Sequence, residues 1–169
     1  NCTEVKKIIM EEGVESIGDF AFEGCALVKE VNLPSTLADL GVGVFDGCSS
    51  LKTLTTNGIL DYALKDGILY NATYTKMLFV PADISGEFIV PETVTALAEG
   101  LFANTAITSV VLPDTIREIP ARAFLNCSNL VNVKMPSALE SIGERAFAGC
   151  VSLKTITIPK TVHSVYNKI

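Results

Sequence analysis

The chain carries a single histidine, His163, and no Cys-x-x-Cys pair. A zinc site needs about four converging Cys, His or carboxylate ligands, and this chain offers no such set at a plausible spacing. A Ser-His-Asp or Cys-His relay would have only one base to draw on, so no catalytic residue, cofactor site or metal site is assigned and an enzyme is not expected. Basic residues are also scarce: 13 Lys and Arg stand against 19 Asp and Glu, a net charge of −6 with a pI near 4.8. Domains that bind DNA or RNA are normally strongly basic, which removes nucleic acid from the expected partners. No apolar run approaches the roughly 18 residues that cross a bilayer. Asn1-Cys2-Thr3-Glu4 lacks the basic and apolar regions of a signal peptide. This segment is therefore expected to be soluble without membrane insertion, its export signal either removed or never present.

Apolar residues, by contrast, make up 49% of 169 residues, enough for one domain with a sizeable core. They recur with a period. Phe22, Phe45, Phe102, Phe124 and Phe147 share one local setting, with spacings of 23 between the first two and of 22 and 23 among the last three. The gap of 57 from Phe45 to Phe102 exceeds two such units by 11 and marks an insertion. On this frame one unit reads Val31-Asn-Leu33-Pro34, Leu37-x-x-Leu40, Val44-Phe45, Cys48, Leu51-x-x-Leu54. It recurs as Val110-Val-Leu112-Pro113, Ile116-x-x-Ile119, Ala123-Phe124, Cys127, Leu130-x-x-Val133, and again from Val133 to Ile156. The outer copies are partial, so a fragment of a longer array is expected, forming one domain over 1–169.

Each part of the unit has a physical reading. Leu51-Lys-Thr-Leu54-Thr, Leu130-Val-Asn-Val133-Lys-Met135 and Leu153-Lys-Thr-Ile156-Thr-Ile158 alternate apolar and polar residues, as half-buried strands do. The prolines at 34, 91, 113, 136 and 159 have no backbone donor and end the ladder at a corner. A short extended side follows, with two inward apolar residues three apart. Gly-Asp/Glu-x-Ala-Phe then reads as one helical turn with an acid at its positive end. No single coil buries its apolar side alone; stacked coils do.

The unit Leu-x-x-Ile-x-Ile-Pro-x-x-Val-x-x-Ile-Gly-x-x-Ala-Phe-x-x-Cys resembles the BspA-like class of leucine-rich repeats over nearly the whole chain outside the insert. The resemblance implies an α/β repeat fold: a right-handed solenoid with a parallel strand sheet on one face, short helical turns opposite and one β-hairpin insert. It also implies a surface or secreted setting, since proteins of that class are typically bacterial or protozoan surface proteins and several resemble adhesins.

The insert spans 57–86. Asp66-Gly67-Ile68-Leu69-Tyr70 and Lys76-Met77-Leu78-Phe79-Val80-Pro81 flank the polar turn Asn71–Thr75, which predicts a β-hairpin. The insert reads as a structural variant of one coil, with its exposed tip as an alternative recognition element.

Cys2, Cys25, Cys48, Cys127 and Cys150 occupy one repeat position, with Thr105 in the vacant slot. Such a ladder places Cβ atoms nearly one strand spacing apart, beyond the roughly 3.5–4.5 Å of a disulfide, so buried free thiols are expected. His163 should point outward, with no repeat-phased acid nearby. Glu11-Glu12-Gly13 reads as a solvated corner without a matched acid pair. Gly41-Val-Gly43 lacks the long helix of a phosphate-binding loop. Asn1-Cys-Thr3, Asn71-Ala-Thr73 and Asn126-Cys-Ser128 match the weak N-glycosylation pattern.

The candidate binding face is the outward row of the strands. Its columns run Lys6, Lys29, Lys52, Thr108, Val131, Lys154; then Lys7, Glu30, Thr53, Ser109, Asn132, Thr155; then Ile9, Asn32, Thr55, Val111, Lys134, Thr157. Lys6, Lys29, Lys52, Asn32, Thr53, Thr55, Lys134 and Lys154 are the residues assigned to it. A basic strip on an acidic body would attract an anionic partner, whereas Thr and Lys also simply suit exposed strands. The expected function is a binding or adhesion module for a host or matrix protein or a glycan, as a monomer or a weak end-to-end assembly. The alternative is a spacer or stalk segment.

Overall fold

In the computed structural model, which describes residues 2, 4–59 and 61–166, the alternating segments are strands. The chain divides into two units, Asn1–Asp83 and Ile84–Ile169. In unit 1, β1 (Lys7–Ile9), β3 (Glu30–Leu33) and β5 (Thr53–Thr56) pair in parallel, with Lys7 opposite Glu30 and Glu30 opposite Thr53. Val31, Leu33 and Leu54 point into the core while Glu30 and Thr53 face out. A second side carries the short parallel pair β2 (Ser16–Ile17) and β4 (Asp39–Leu40). Unit 2 repeats the plan. β9 (Ser85–Ile89), β11 (Ala106–Val111) and β13 (Asn132–Lys134) pair in parallel. So do β12 (Glu118–Ile119), β14 (Ser141–Ile142) and β15 (Ser164–Val165); β10 (Ala96–Leu97) holds the matching place one coil earlier. Each unit is a β-solenoid of parallel strands.

The third side of the coil is where the structure departs from the helical turns and the α/β class implied above. No helix is present among the described residues. Two residues before the repeat phenylalanine the backbone is left-handed, at Phe20, Gly43, Gly100, Arg122 and Arg145. Two residues after it the backbone is left-handed again, at Gly24, Gly47, Asn104, Asn126 and Gly149. An α-helix needs consecutive right-handed residues, so this pair excludes one. Alternate N–H groups then point at the next coil: those of Phe20, Phe22 and Gly24 donate to the carbonyls of Val42, Val44 and Asp46 at 2.8–3.0 Å. The N–H groups between them close local turns, Ala21 to Gly18, Glu23 to Phe20 and Cys25 to Phe22. Arg122, Phe124 and Asn126 repeat the pattern onto Glu144, Ala146 and Ala148. Coils approach closely nearby: a Cβ on Gly143 would fall 2.4 Å from the Ala121 nitrogen.

Inside the coils the repeat positions stack as ladders. In unit 2 Phe102, Phe124 and Phe147 lie parallel with ring centroids 5.3 and 5.1 Å apart, and Phe88 meets Phe102 edge-on. In unit 1 Phe22 stacks on Phe45 at 6.1 Å, and Phe79 caps Phe45 edge-on. All five cysteines are free thiols. Cys48, Cys127 and Cys150 each donate Sγ–H to the carbonyl of the preceding coil's phenylalanine, at 2.9–3.1 Å. Thr105, buried in the vacant slot, donates to the Phe102 carbonyl at 2.7 Å.

The corners are tied as well. Glu12 is more than a solvated corner: its carboxylate accepts from the Ser35 hydroxyl at 2.7 Å and from the Ser35 N–H, one coil on. Asp114 accepts from the Ser137 N–H at 2.6 Å in the same way. These bonds hold both carboxyls below the ordinary carboxylate range, for Glu12 chiefly through the Ser35 hydroxyl and for Asp114 chiefly through the Ser137 N–H.

The insert is a three-stranded antiparallel meander of β6 (Tyr62–Lys65), β7 (Ile68–Asn71) and β8 (Lys76–Phe79). The expected hairpin is its β7–β8 half. Asp66-Gly67, taken above as the start of a strand, is a two-residue turn with both residues at positive φ, which joins β6 to β7. The strand expected over Leu153–Ile158 does not form. Leu153 is half-buried there, where Leu51 and Leu130 at the same repeat position are buried.

Truncating the central ring of a stack leaves a void that close-packed neighbours cannot fill. Phe124→Ala should lower unfolding free energy by about 3–5 kcal/mol in urea denaturation, while Val131→Ala, on an exposed strand position, should stay within about 0.5 kcal/mol. A carboxyl with a depressed folded-state pKa stabilises the fold above its unfolded pKa of about 4 and loses that contribution as pH falls through the folded value. The double variant Glu12→Gln, Asp114→Asn should thus be less stable than the parent at pH 7, with the difference narrowing as pH falls below about 4 when melting is followed across pH.

Candidate functional site

Strand pairing places the lysines of unit 1 in one row. Lys29 N–H donates to the Lys6 carbonyl at 2.8 Å and Lys52 N–H to the Lys29 carbonyl at 3.0 Å, so the three residues are successive rungs about 4.8 Å apart. All three side chains are exposed. Beside them Asn32 donates from Nδ2 to Thr55 Oγ1 at 3.1 Å, and Thr53 lies opposite Glu30. Two acids moderate the row: Lys52 meets Asp83 at 3.4 Å, and Lys7, in the neighbouring column, meets Glu30 at 2.8 Å. Exposed pairs of this kind are worth about 0–1 kcal/mol and leave the lysines free to exchange partners. Among the described residues Lys6 and Lys29 have no ion-pair partner. Asp83 stands outside the columns named above because it lies within the 57–86 insert, distant in sequence from Lys52.

The charge around the row is uneven. Unit 1 carries six lysines against twelve carboxylates, which accounts for the whole net charge of −6; unit 2 carries seven of each sign. Lys134 and Lys154 belong to unit 2, and Lys134 falls in the third column instead of the first. Thr108 and Val131 occupy the intervening places, and Lys154 Nζ turns back to the Val151 carbonyl at 3.3 Å. The assigned face thus resolves into a unit 1 set, Lys6, Lys29, Lys52, Asn32, Thr53 and Thr55, and two separate lysines.

Reactive groups elsewhere are held in structural roles. Burial pushes the Cys48 thiol up to about 12 and the Cys150 thiol up to about 11, far from a thiolate nucleophile at neutral pH. His163 faces outward, but the acid thought missing exists: Glu140 stands 23 residues earlier at the same repeat position, and its carbonyl accepts the His163 N–H. Glu140 is paired with Arg117 at 3.7 Å, one coil further back. Gly41 and Gly43 mark close approach to Asp19 and the Phe20 ring instead of a phosphate cradle. Asn71 Nδ2 is engaged by the Thr73 and Thr75 hydroxyls and Asn126 Nδ2 by Asn104, while Asn1-Cys-Thr3 falls on residues outside those described. A cavity of about 350 Å³ in unit 2, lined by Phe147, Cys150, Leu153 and Ile156 among others, contains no carboxylate or histidine. Among the described residues no three His, Cys, Asp or Glu converge as a metal site, and no helix is long and apolar enough to cross a membrane.

Comparison with known proteins follows the fold. A leucine-rich cell surface protein from Faecalibacterium prausnitzii superposes with a TM-score of 0.82 at 24% identity, over 99% of this chain and 51% of that one. The pneumococcal vaccine antigen PcpA gives 0.82 at 23% identity, over 96% of this chain and 47% of that one. A leucine-rich repeat protein from Eubacterium ventriosum gives 0.58 at 17% identity, over 96% and 65%. At these identities the likeness is one of fold, and the chain spans about half the length of the first two structures. No curated protein matches the chain. The model of the BspA type leucine rich repeat region, in six copies, matches residues 1–86 and 84–169. The chain, whose coils repeat the Phe, Cys and Pro positions of that unit, belongs to the BspA-type leucine-rich repeat family.

Proposed function

We propose that this chain is a non-catalytic recognition segment of a bacterial cell-surface or secreted protein, and that the Lys6–Lys29–Lys52 row contacts an acidic host or matrix protein or glycan. The observation that carries the reading is the row itself: three exposed lysines on successive rungs of a rigid sheet, two of them without an ion-pair partner among the described residues. Like charges spaced this closely repel one another and favour a partner that supplies counter-charge. The surrounding acidity of unit 1 confines attraction to the row and repels acidic surfaces elsewhere. The surface setting is supported by the description of the Faecalibacterium structure as a cell surface protein.

The second reading is a spacer that holds other domains away from the cell. It is favoured by Glu30 and Asp83, which neutralise part of the strip, and by the lack of aromatic anchors among its columns.

The triple variant Lys6→Glu, Lys29→Glu, Lys52→Glu separates the two. Biosensor binding to extracellular-matrix proteins and mucins should be saturable for the parent, weaken at least about tenfold from 50 to 150 mM salt as screening shortens, and vanish in the variant. Binding that is indifferent to both the substitutions and salt would move recognition off the row, and none across the panel would leave the spacer reading in its place.

A further inference from the structure

The β7–β8 turn carries a feature outside the lysine row. Residues 71–74 form a turn closed by the Tyr74 N–H on the Asn71 carbonyl at 3.0 Å, and Tyr74 then sits at φ 57. Hairpin loops of this kind reserve their left-handed residue for Gly or Asn, and an aromatic side chain there is uncommon. The ring is not needed to shape the turn. Asn71 does that, with Oδ1 accepting from the N–H groups of Thr75 and Lys76 at 2.9 Å and Nδ2 donating to the Thr73 and Thr75 hydroxyls at 3.0 Å. Tyr74 is 42% exposed, and its ring leans on the buried Tyr70 ring with centroids 5.4 Å apart and planes inclined at 47°. Neither phenol hydroxyl has a hydrogen-bond partner among the described residues, and the Tyr70 oxygen is not sealed from solvent.

We propose that the Tyr70–Tyr74 wedge is a saccharide-binding site that takes one neutral pyranose ring. The C–H groups on the flatter side of a pyranose carry slight positive charge and stack on the electron-rich face of an aromatic ring. The Tyr70 and Tyr74 phenol hydroxyls can each donate to and accept from sugar hydroxyls, whereas the Thr73 hydroxyl is already bonded to Asn71 Nδ2 and Thr75 Oγ1. The size of the feature selects the ligand. A stable protein interface covers roughly 800 Å² per partner, and the exposed residues beside Tyr74 along the turn are only Ala72, Thr73 and Lys76. Charge selects against sulfated or sialylated sugars, because unit 1 holds all of the chain's net −6. The Asn71 clamp presents the wedge already formed, which lowers the ordering cost of binding.

The chain has no tryptophan and four tyrosines, two of them in this wedge, so tyrosine emission is followed in the parent and in the Tyr74 variant alike. The whole chain is titrated with chitotriose, mannotriose and N-acetyllactosamine as neutral probes and heparin as the anionic one. At least one neutral probe should change the emission saturably. Tyr74→Asn, which suits the left-handed backbone but lacks the ring, should weaken that binding by about tenfold or more with melting temperature unchanged or raised. Tyr70→Phe should weaken it several-fold, and the triple Lys→Glu variant should bind as the parent does. The proposal is overturned if no neutral probe binds, if heparin alone binds, or if Tyr74→Asn binds as the parent. It is equally overturned if Tyr74→Asn unfolds while Tyr70→Phe binds normally, or if Tyr74 proves necessary only for capture of a matrix protein.

Discussion

Two left-handed residues, one on each side of the repeat phenylalanine, govern the turn, and in the coils of Phe22, Phe102 and Phe124 they govern its bonding to the next coil. Because the residues between them are not left-handed, alternate N–H groups leave the coil's plane and reach the next coil, while the intervening ones close tight local turns. A helix would spend all of these donors within its own axis and leave no hydrogen bonds between coils on that side. With strands on one side and this turn on another, each coil is bonded to its neighbour along much of its contour, and a repeat of 22 or 23 residues follows. The same turn sets the Cys position. The carbonyl of the phenylalanine three residues earlier has a second lone pair to spare, and a small side chain with a donor in the next coil takes it: Sγ–H of Cys48, Cys127 or Cys150.

A frame bonded in this way holds surface groups in register without further help. The lysines of unit 1 form a row because their own backbone groups are bonded rung to rung, so a repeat-phased residue in the sequence becomes a column on the surface. The insert uses a different device. Its tip is fixed by one asparagine whose side chain makes four hydrogen bonds within five residues, and the aromatic pair rests on that support. Recognition elements on such scaffolds keep their positions before a ligand arrives, which limits the entropy lost on binding.

Much of this was legible in the sequence. The phenylalanine spacing located the coils, the common phase of five cysteines and Thr105 located the inner ladder, and alternation located most strands. The turn was misread as helical for a physical reason. Its second left-handed position is Gly or Asn in every copy, a visible signal, but its first is Phe20, Gly43, Gly100, Arg122 and Arg145, and Ala, Arg and Phe in between look like ordinary helix formers. Side-chain bonds between coils were also hidden. Glu12 to Ser35 and Lys52 to Asp83 depend on rotamers that composition and spacing do not encode. The oblique character of Tyr74 could not be foreseen either, since no glycine marks the left-handed place in Asn71–Thr75.

Amide hydrogen exchange resolved by residue tests the turn most directly. The inter-coil bonds require that the amides of Phe22, Phe102, Phe124 and Asn126 exchange only with global unfolding, as slowly as those of the central strands β3 and β11. Fast exchange at these four amides, with protection confined to the strands, would contradict the account.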